Sequence, residues 1–297
     1  MQRLLKNVFP ALLGLLFTAS AAAGQFDDVE IKTTKVADGI YMLAGMGGNI
    51  GLLTGPDGNF LIDDQFAPLT DKIRAAVAEV GEGDIRFILN THYHGDHTGG
   101  NENLGSTGSL IIAHENVRKR LSTDEFMQTL RDQGAEDPSA ALPVITFNDG
   151  INFHINGLTL RGVHIANAHT DGDTMIWFEG ANVVHMGDTF FQVGFPFVDV
   201  EGGGSLAGMM KAIDHVLAKA DSETRIIPGH GELTDVEGLK EYRAMLVDVA
   251  RRVEKLKAEG NSVDDIVEMD PLADLRERWD WAFINADKLI RAIYPEL

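Results

Sequence analysis

The feature that most limits what this chain can become is the stretch Asn90-Thr91-His92-Tyr93-His94-Gly95-Asp96-His97-Thr98-Gly99-Gly100. It follows directly on the apolar run Ile85-Arg86-Phe87-Ile88-Leu89, which is short, β-branched and aromatic, with turn residues on both sides. Those are the marks of a buried strand. A strand that ends in such a cluster delivers several nitrogen and carboxylate groups to one point in space. His92 and His94 stand two apart in extended backbone and so project to the same side. Asp96 and His97 follow Gly95, where the chain can turn, and can face a second point close by. The competing reading is a polar helix start in which Asp96 merely caps. It leaves three histidines crowded together without partners, and unpaired polar groups are costly to bury. The stretch reads as a metal site.

The run His92-Tyr93-His94-Gly95-Asp96-His97 resembles the H-x-H-x-D-H signature of the metallo-β-lactamase superfamily of metallohydrolases, and the likeness continues in order along the chain. Asn167-Ala168-His169-Thr170-Asp171-Gly172-Asp173-Thr174 is similar to the family's third motif, which makes His169 a ligand. The strand Val183-Val184-His185-Met186 runs into Gly187-Asp188-Thr189, similar to the fourth motif, whose aspartate bridges two metals. Arg225-Ile226-Ile227-Pro228-Gly229-His230-Gly231 resembles the fifth, with His230 as ligand and glycines that let the backbone come close. The resemblance thus implies His92, His94 and His169 on one metal and Asp96, His97 and His230 on the other, with Asp188 shared. All seven would serve catalysis. It further implies that Asp63, at the end of Phe60-Leu61-Ile62, lies beneath the metal loop and holds it by hydrogen bonds, as metal-bound histidines generally require. The implied fold is α/β, an αββα sandwich of two mixed sheets.

Nitrogen and oxygen donors of this kind suit Zn²⁺, and two Zn²⁺ per chain are expected, although Fe or Mn take the same ligand types. A dinuclear site of this sort holds a hydroxide between its ions for attack on a carbonyl or phosphoryl centre. The β-lactamases best known in the superfamily carry cysteine where Asp188 stands, and a lysine three positions on, where this chain has Phe191. The ligand set is closer to glyoxalase II and the lactonases, although an exported enzyme would not meet glyoxalase II's cytosolic thioester. The expected activity is hydrolysis of an ester, lactone, amide or β-lactam bond in a small, apolar substrate. Met46, at the tip of the glycine-rich turn 45–49, is a candidate flap over that substrate, or simply part of a hairpin. Phe190, Phe191 and Phe195 are candidates for the pocket wall, or simply core. Three functions compete: β-lactam hydrolysis proper, an iron-dependent redox role on the same ligands, and phosphodiester cleavage, for which no Arg or Lys clamp is evident. A non-catalytic binding module is disfavoured by the complete ligand set.

Residues 1–23 read as a secretory signal, with basic Arg3 and Lys6, apolar Leu12 to Phe17, and the small-residue region Ala19-Ser20-Ala21-Ala22-Ala23. The apolar part is too short to span a bilayer. Residues 24–297 are then expected to form a single hydrolase domain in the periplasm or outside the cell, free of the membrane once the signal is removed. The chain has no cysteine, which excludes disulfides, a lipidated cysteine after the signal, and thiolate ligands. Its formal net charge of −20 argues against nucleic acid as a partner, because polynucleotides require a basic surface. Strands are expected at Val29-Glu30-Ile31-Lys32 and in the meander that follows it, then in two series, with a sheet in each of the halves 26–155 and 156–297. Of the second series, Leu158-Thr159-Leu160-Arg161 and Val163-His164-Ile165 read as separate strands. Helical spacing covers 70–80, 236–260 and 272–294, with Trp279 and Trp281 packing on the outside of a sheet. His114, Asp173 and His185 read as structural.

Overall fold

The computed structural model describes residues 24–297; the expected signal at 1–23 lies outside the described residues. Twelve strands form two sheets among them. The first sheet holds β1 (Lys32–Ala37), β2 (Ile40–Ala44), β3 (Ile50–Leu53), β4 (Asn59–Ile62), β5 (Ile85–Leu89), β6 (Leu110–His114) and β7 (Ile145–Phe147), in that spatial order. Its first four strands are an antiparallel meander, whereas β4 to β7 run parallel. The second sheet holds β8 (Gly150–Ile155), β9 (Leu158–His164), β10 (Thr174–Glu179), β11 (Val183–His185) and β12 (Arg225–Ile227), in the order β12-β11-β10-β9-β8. Only β11 and β12 are parallel in it. Both sheets are mixed, as the αββα reading requires.

Alternation along the strands explains the layers. Phe60 and Ile62 face the second sheet and pack with Ile176, Phe178 and Val183. Leu61, between them, faces the other way and meets Ile73 and Val77 of the helix Thr70–Val80. In the second sheet Trp177 and Val184 face outward against the helices Leu206–Leu217, Val236–Ala258 and Ala286–Ile293. Each fully buried large side chain such as Phe60 or Phe178 contributes about 1.5–3 kcal/mol through burial. The order helix, sheet, sheet, helix follows from these three apolar clusters.

Four local expectations are corrected. The first strand runs over Lys32–Ala37 and not 29–32. Lys72 Nζ donates to the carbonyls of Phe26 (2.9 Å), Asp27 (2.6 Å) and Val29 (2.8 Å), so this segment is pinned as a turn against the helix layer. Leu158–His164 is one strand that passes through Gly162 unbroken. The division between the sheets falls between Phe147 and Gly150, not at 155. The cause is a turn at Asn156-Gly157, both at positive φ (53° and 76°). That is hairpin chemistry, and it binds β8 to β9 within one sheet. Lastly, 272–294 is not one helix. Helical turns at Arg276–Trp279 and Ala286–Ile293 flank a non-helical stretch, where Trp281 N donates to the Ile284 carbonyl at 3.0 Å.

Candidate metal centre

The site forms where strands of both sheets end side by side. Asp63 follows β4, the motif 92–97 follows β5, Asp188 follows β11 and His230 follows β12. Parallel β4–β5 and parallel β11–β12 aim their carboxyl ends at one edge, so four loops empty into one place. His169 arrives from the turn between β9 and β10. Gly95–Thr98 makes one helical turn, with His94 still extended (ψ 146°) at its start. This change of backbone sends His94 and His97 to different points, as the glycine at 95 suggests.

The structure brings together all seven residues expected at the site. They fall in two groups, His92, His94, His169 and Asp188 in one and Asp96, His97 and His230 in the other. His94 Nδ1 lies 3.1 Å from His92 Nε2 and 2.9 Å from His169 Nε2. In the second group His97 Nε2 and His230 Nε2 are 3.4 Å apart. Asp96 Oδ2 lies 3.3 Å from His230 Nε2 and 3.6 Å from His97 Nε2. Asp188 stands between the groups. Its Oδ1 is 3.1 Å from His97, and its Oδ2 is 3.4 Å from His230, 3.6 Å from His169 and 3.9 Å from His92.

The outward nitrogens settle which way the lone pairs point. His97 Nδ1 donates to Asp63 Oδ2 at 2.7 Å, and His169 Nδ1 donates to the Phe197 carbonyl at 2.7 Å. His94 Nε2 donates to Asp199 Oδ2 at 3.0 Å. Thr91 Oγ1 gives its proton to Asp63 Oδ2 at 2.7 Å and therefore accepts from His92 Nδ1 at 3.0 Å. With those protons placed outside, the inward nitrogens present lone pairs to one another at contact distance. Such an arrangement repels itself unless a positive centre sits among the donors. Asp188 Oδ1 adds a second sign, since it is buried without a hydrogen-bond partner of its own. The donor set fits a divalent metal, and its outward hydrogen bonds are the kind that orient metal-binding histidines.

Electrostatics agree. Burial pulls the imidazoles of His92 and His169 down, His169 to about 4, so both stay neutral. Burial also opposes charge on His97 and His230, but Asp188 and Asp96 outweigh it. His97 is raised well above its ordinary value, and His230 reaches about 9. Burial likewise pushes up against Asp96, but His97 and His230 draw it down to about 2. Burial opposes charge on Asp188 too, and His97 and His230 hold it well below its ordinary value. The two carboxylates demand positive charge, and without an ion only protons on the histidines supply it.

Asp63 sits where the resemblance places it, beneath the loop. It accepts from the Thr91 amide at 2.7 Å as well as from Thr91 Oγ1 and His97. Its φ of 64° is a costly backbone for a non-glycine residue. Asp173 accepts from the Thr170 amide (2.8 Å) and hydroxyl (2.6 Å), which shapes the turn behind His169. His185 is buried, donating to the Asn49 carbonyl at 3.0 Å. His114 caps the helix Glu115–Leu121 by accepting from the Asn116 amide at 3.2 Å.

The aromatic residues are where expectation and structure part. Phe190 and Phe195 are 1% and 0% exposed and cannot touch a substrate. Phe190 packs on Tyr242 in the helical layer. Phe191, equally buried, lies parallel to the His230 ring (3° between planes, centroids 5.5 Å) and backs it. Met46 does stand out, 43% exposed. Its turn is held by the Gly48 amide donating to the Asp96 carbonyl at 3.0 Å, and any side chain on Gly48 would overlap the His97 ring. Two participants carried no readable signal. Asp199 anchors both His94 and the Tyr93 hydroxyl from 105 positions away. Trp281 packs against the helical layer as expected, and from there its ring also comes within 5.9 Å of the His230 ring.

A model of the metallo-beta-lactamase superfamily matches residues 43–230, the span that carries the two groups. The chain belongs to this superfamily. A hydroxyacylglutathione hydrolase of Methylococcus capsulatus is 26% identical over 182 residues, 59% of this chain and 61% of that protein. The chain therefore spans about three-fifths of that relative's length. Among solved structures, the sec-alkylsulfatase Pisa1 from Pseudomonas sp. superposes with a TM-score of 0.72 at 14% identity, covering 90% of this chain and 50% of that one. A metallo-beta-lactamase from Pontibacter korlensis gives 0.59 at 16% identity, over 74% of this chain and 100% of that one. At such identities the two structures establish the metallo-beta-lactamase fold alone. The three names span three different substrates.

Proposed function

We propose that the protein is an exported, metal-dependent hydrolase that holds two divalent ions, by preference Zn²⁺, and cleaves an ester or lactone bond in an uncharged, apolar substrate. The observation that carries this reading is the position of Asp188. One buried carboxylate faces histidines of both groups and keeps an oxygen free of hydrogen bonds, as a residue shared by two ions would. His92, His94 and His169 would hold one ion, and Asp96, His97 and His230 the other. Bound divalent ions would supply Lewis-acid polarisation of the scissile group and a water acidified towards neutral pH.

The chain's own part is positioning and exclusion. Asp63, Thr91, Asp199 and the Phe197 carbonyl lock the histidine rings, so little reorganisation is needed when substrate arrives. The side chains of His94 (20%), His230 (16%) and Asp96 (27%) are the exposed members, and they define the mouth. Cations near it are engaged. Arg120 pairs with Asp171 at 2.7 Å while its guanidinium lies over the Tyr93 ring. Lys288 donates to the Phe283 carbonyl at 2.6 Å. A carboxylate-bearing substrate such as a β-lactam would find no ready anchor, which favours a neutral one. Export rests on the pattern of residues 1–23 alone.

Steady-state kinetics of the zinc-loaded mature protein on neutral aryl esters, lactones, nitrocefin and bis-p-nitrophenyl phosphate tests the reading. The larger kcat/KM is expected for an ester or lactone. A larger value for nitrocefin or the phosphodiester would contradict it.

A further inference from the structure

The mouth has one apolar side, built from two segments far apart in sequence. Phe197 is tilted against His94 (centroids 5.6 Å, 36°) and lies edge-on to His169 (5.7 Å, 68°). Phe283 stands 5.5 Å from Phe197, nearly perpendicular at 74°, and 5.8 Å from Trp281. Trp281 in turn is 5.9 Å from His230 and 6.1 Å from Phe191. The rings thus make a continuous arc from one exposed histidine of the first group to the exposed histidine of the second. Phe283 is half exposed, with Lys288 Nζ 5.8 Å from its ring centre, and it extends the apolar surface that Phe197 and Trp281 begin.

The arc is fixed by its backbone. Trp281 Nε1 donates to the Phe195 carbonyl at 2.8 Å, and the Phe195 amide donates to the Trp279 carbonyl at 2.7 Å. Gly194 is pressed so closely against Trp279 and Trp281 that any side chain there would overlap both. Below, the Ala286 amide donates to Asp280 Oδ1 at 2.7 Å, and Arg276 ties Asp270, Asp280 and Asp287 together. The break in helical structure at 280–285 is therefore a held strap, which carries two aromatic rings across the second sheet's helices to the site.

Resting on the hydrolase reading above, we propose that Trp281, Phe283 and Phe197 form the wall on which an uncharged aryl or long acyl group of the substrate lies, so that the strap sets substrate preference. A flat or extended apolar group laid on these rings runs from His94 to His230. Its scissile bond is then presented between the two groups, and the opposite side is left to Met46 and Asp96. Aromatic side chains suit this task because they offer large apolar faces at little entropic cost.

The test uses the metal-loaded protein with 2-naphthyl acetate and methyl acetate, and the neutral ketone 2-acetonaphthone as a non-hydrolysed binding probe. For Trp281→Ala the ratio of kcat/KM between the two esters should fall about tenfold, as expected for a lost aryl contact, mainly through KM. Phe283→Ala should lower it less, and Trp281→Phe should restore most of it. Phe283 donates no side-chain hydrogen bond, so its variant keeps the test valid if Trp281→Ala disturbs folding. An unchanged ratio in both alanine variants, with metal content retained, would overturn the wall. If the wild type hydrolyses neither ester, the ester reading fails on its own. The ketone then decides: weaker binding by Phe283→Ala and Trp281→Ala supports the wall, and equal binding overturns it.

Discussion

The two ligand groups differ in how firmly the protein holds them before any ion arrives. Each histidine of the first group has its outward nitrogen fixed: His92 by Thr91, His94 by Asp199, and His169 by the Phe197 carbonyl. In the second group only His97 is so fixed, by Asp63. Among the described residues, His230 Nδ1 makes no hydrogen bond, and the Asp96 carboxylate rests only against His97 and His230. Ligands locked in place spend less ordering entropy on binding. The first group should bind its ion more tightly, and the second should be the one that loads last and empties first. Asp188 couples the two, because it belongs geometrically to both.

The largest effect should come from removing that coupling. Asp188→Ala is expected to lower metal content at both groups and to reduce kcat/KM about a thousandfold or more, checked by elemental analysis beside steady-state kinetics. Near-normal metal content and rate would break the idea of a shared carboxylate. Next, the groups should separate under single substitutions. His230→Ala should lose the weaker ion and keep the tighter, whereas His169→Ala should lose the tighter. Competition with a coloured chelator would read both, and identical losses would mean that the groups do not act as two sites.

Smaller effects should follow from the outward partners. Asp199→Asn is expected to weaken the first ion about 10–100-fold while sparing the second. Asp63→Asn should weaken both, since Asp63 holds His97 directly and His92 through Thr91. The smallest change is expected for Tyr93→Phe, which removes one hydroxyl donor to Asp199. A single hydrogen bond of about 1 kcal/mol corresponds to roughly fivefold in the first ion's affinity, within reach of the same competition assay.

The same contrast separates what could be read from the sequence from what could not. The cluster from His92 to His97 was legible from the residues themselves, three histidines and an aspartate directly after β5. His169, Asp188, His230 and Asp63 were legible only through the resemblance of their motifs to the superfamily's. Asp199 was not, because its partner is 105 positions away and an aspartate after an apolar run resembles many others. The phenylalanines misled because aromatic residues beside a site look alike whether they face it or back it. Burial decides, and burial depends on helices that pack much later in the chain, such as Val236–Ala258, whose Tyr242 receives Phe190. The strap at 280–285 was hidden inside a segment with helical spacing; there the Trp281 amide donates to the Ile284 carbonyl and the Ala286 amide to Asp280 Oδ1, local hydrogen bonds that periodicity does not reveal. The sheet boundary could have been placed correctly from Asn156-Gly157 alone, a dipeptide with a strong hairpin preference.

The most direct measurement is a calorimetric titration of the metal-free protein with Zn²⁺, run beside His230→Ala and His169→Ala. Two binding steps are predicted for the wild type, with the weaker absent in His230→Ala and the tighter absent in His169→Ala. Saturation at a single ion, with an isotherm that His230→Ala leaves unchanged, would contradict a two-ion centre joined through Asp188.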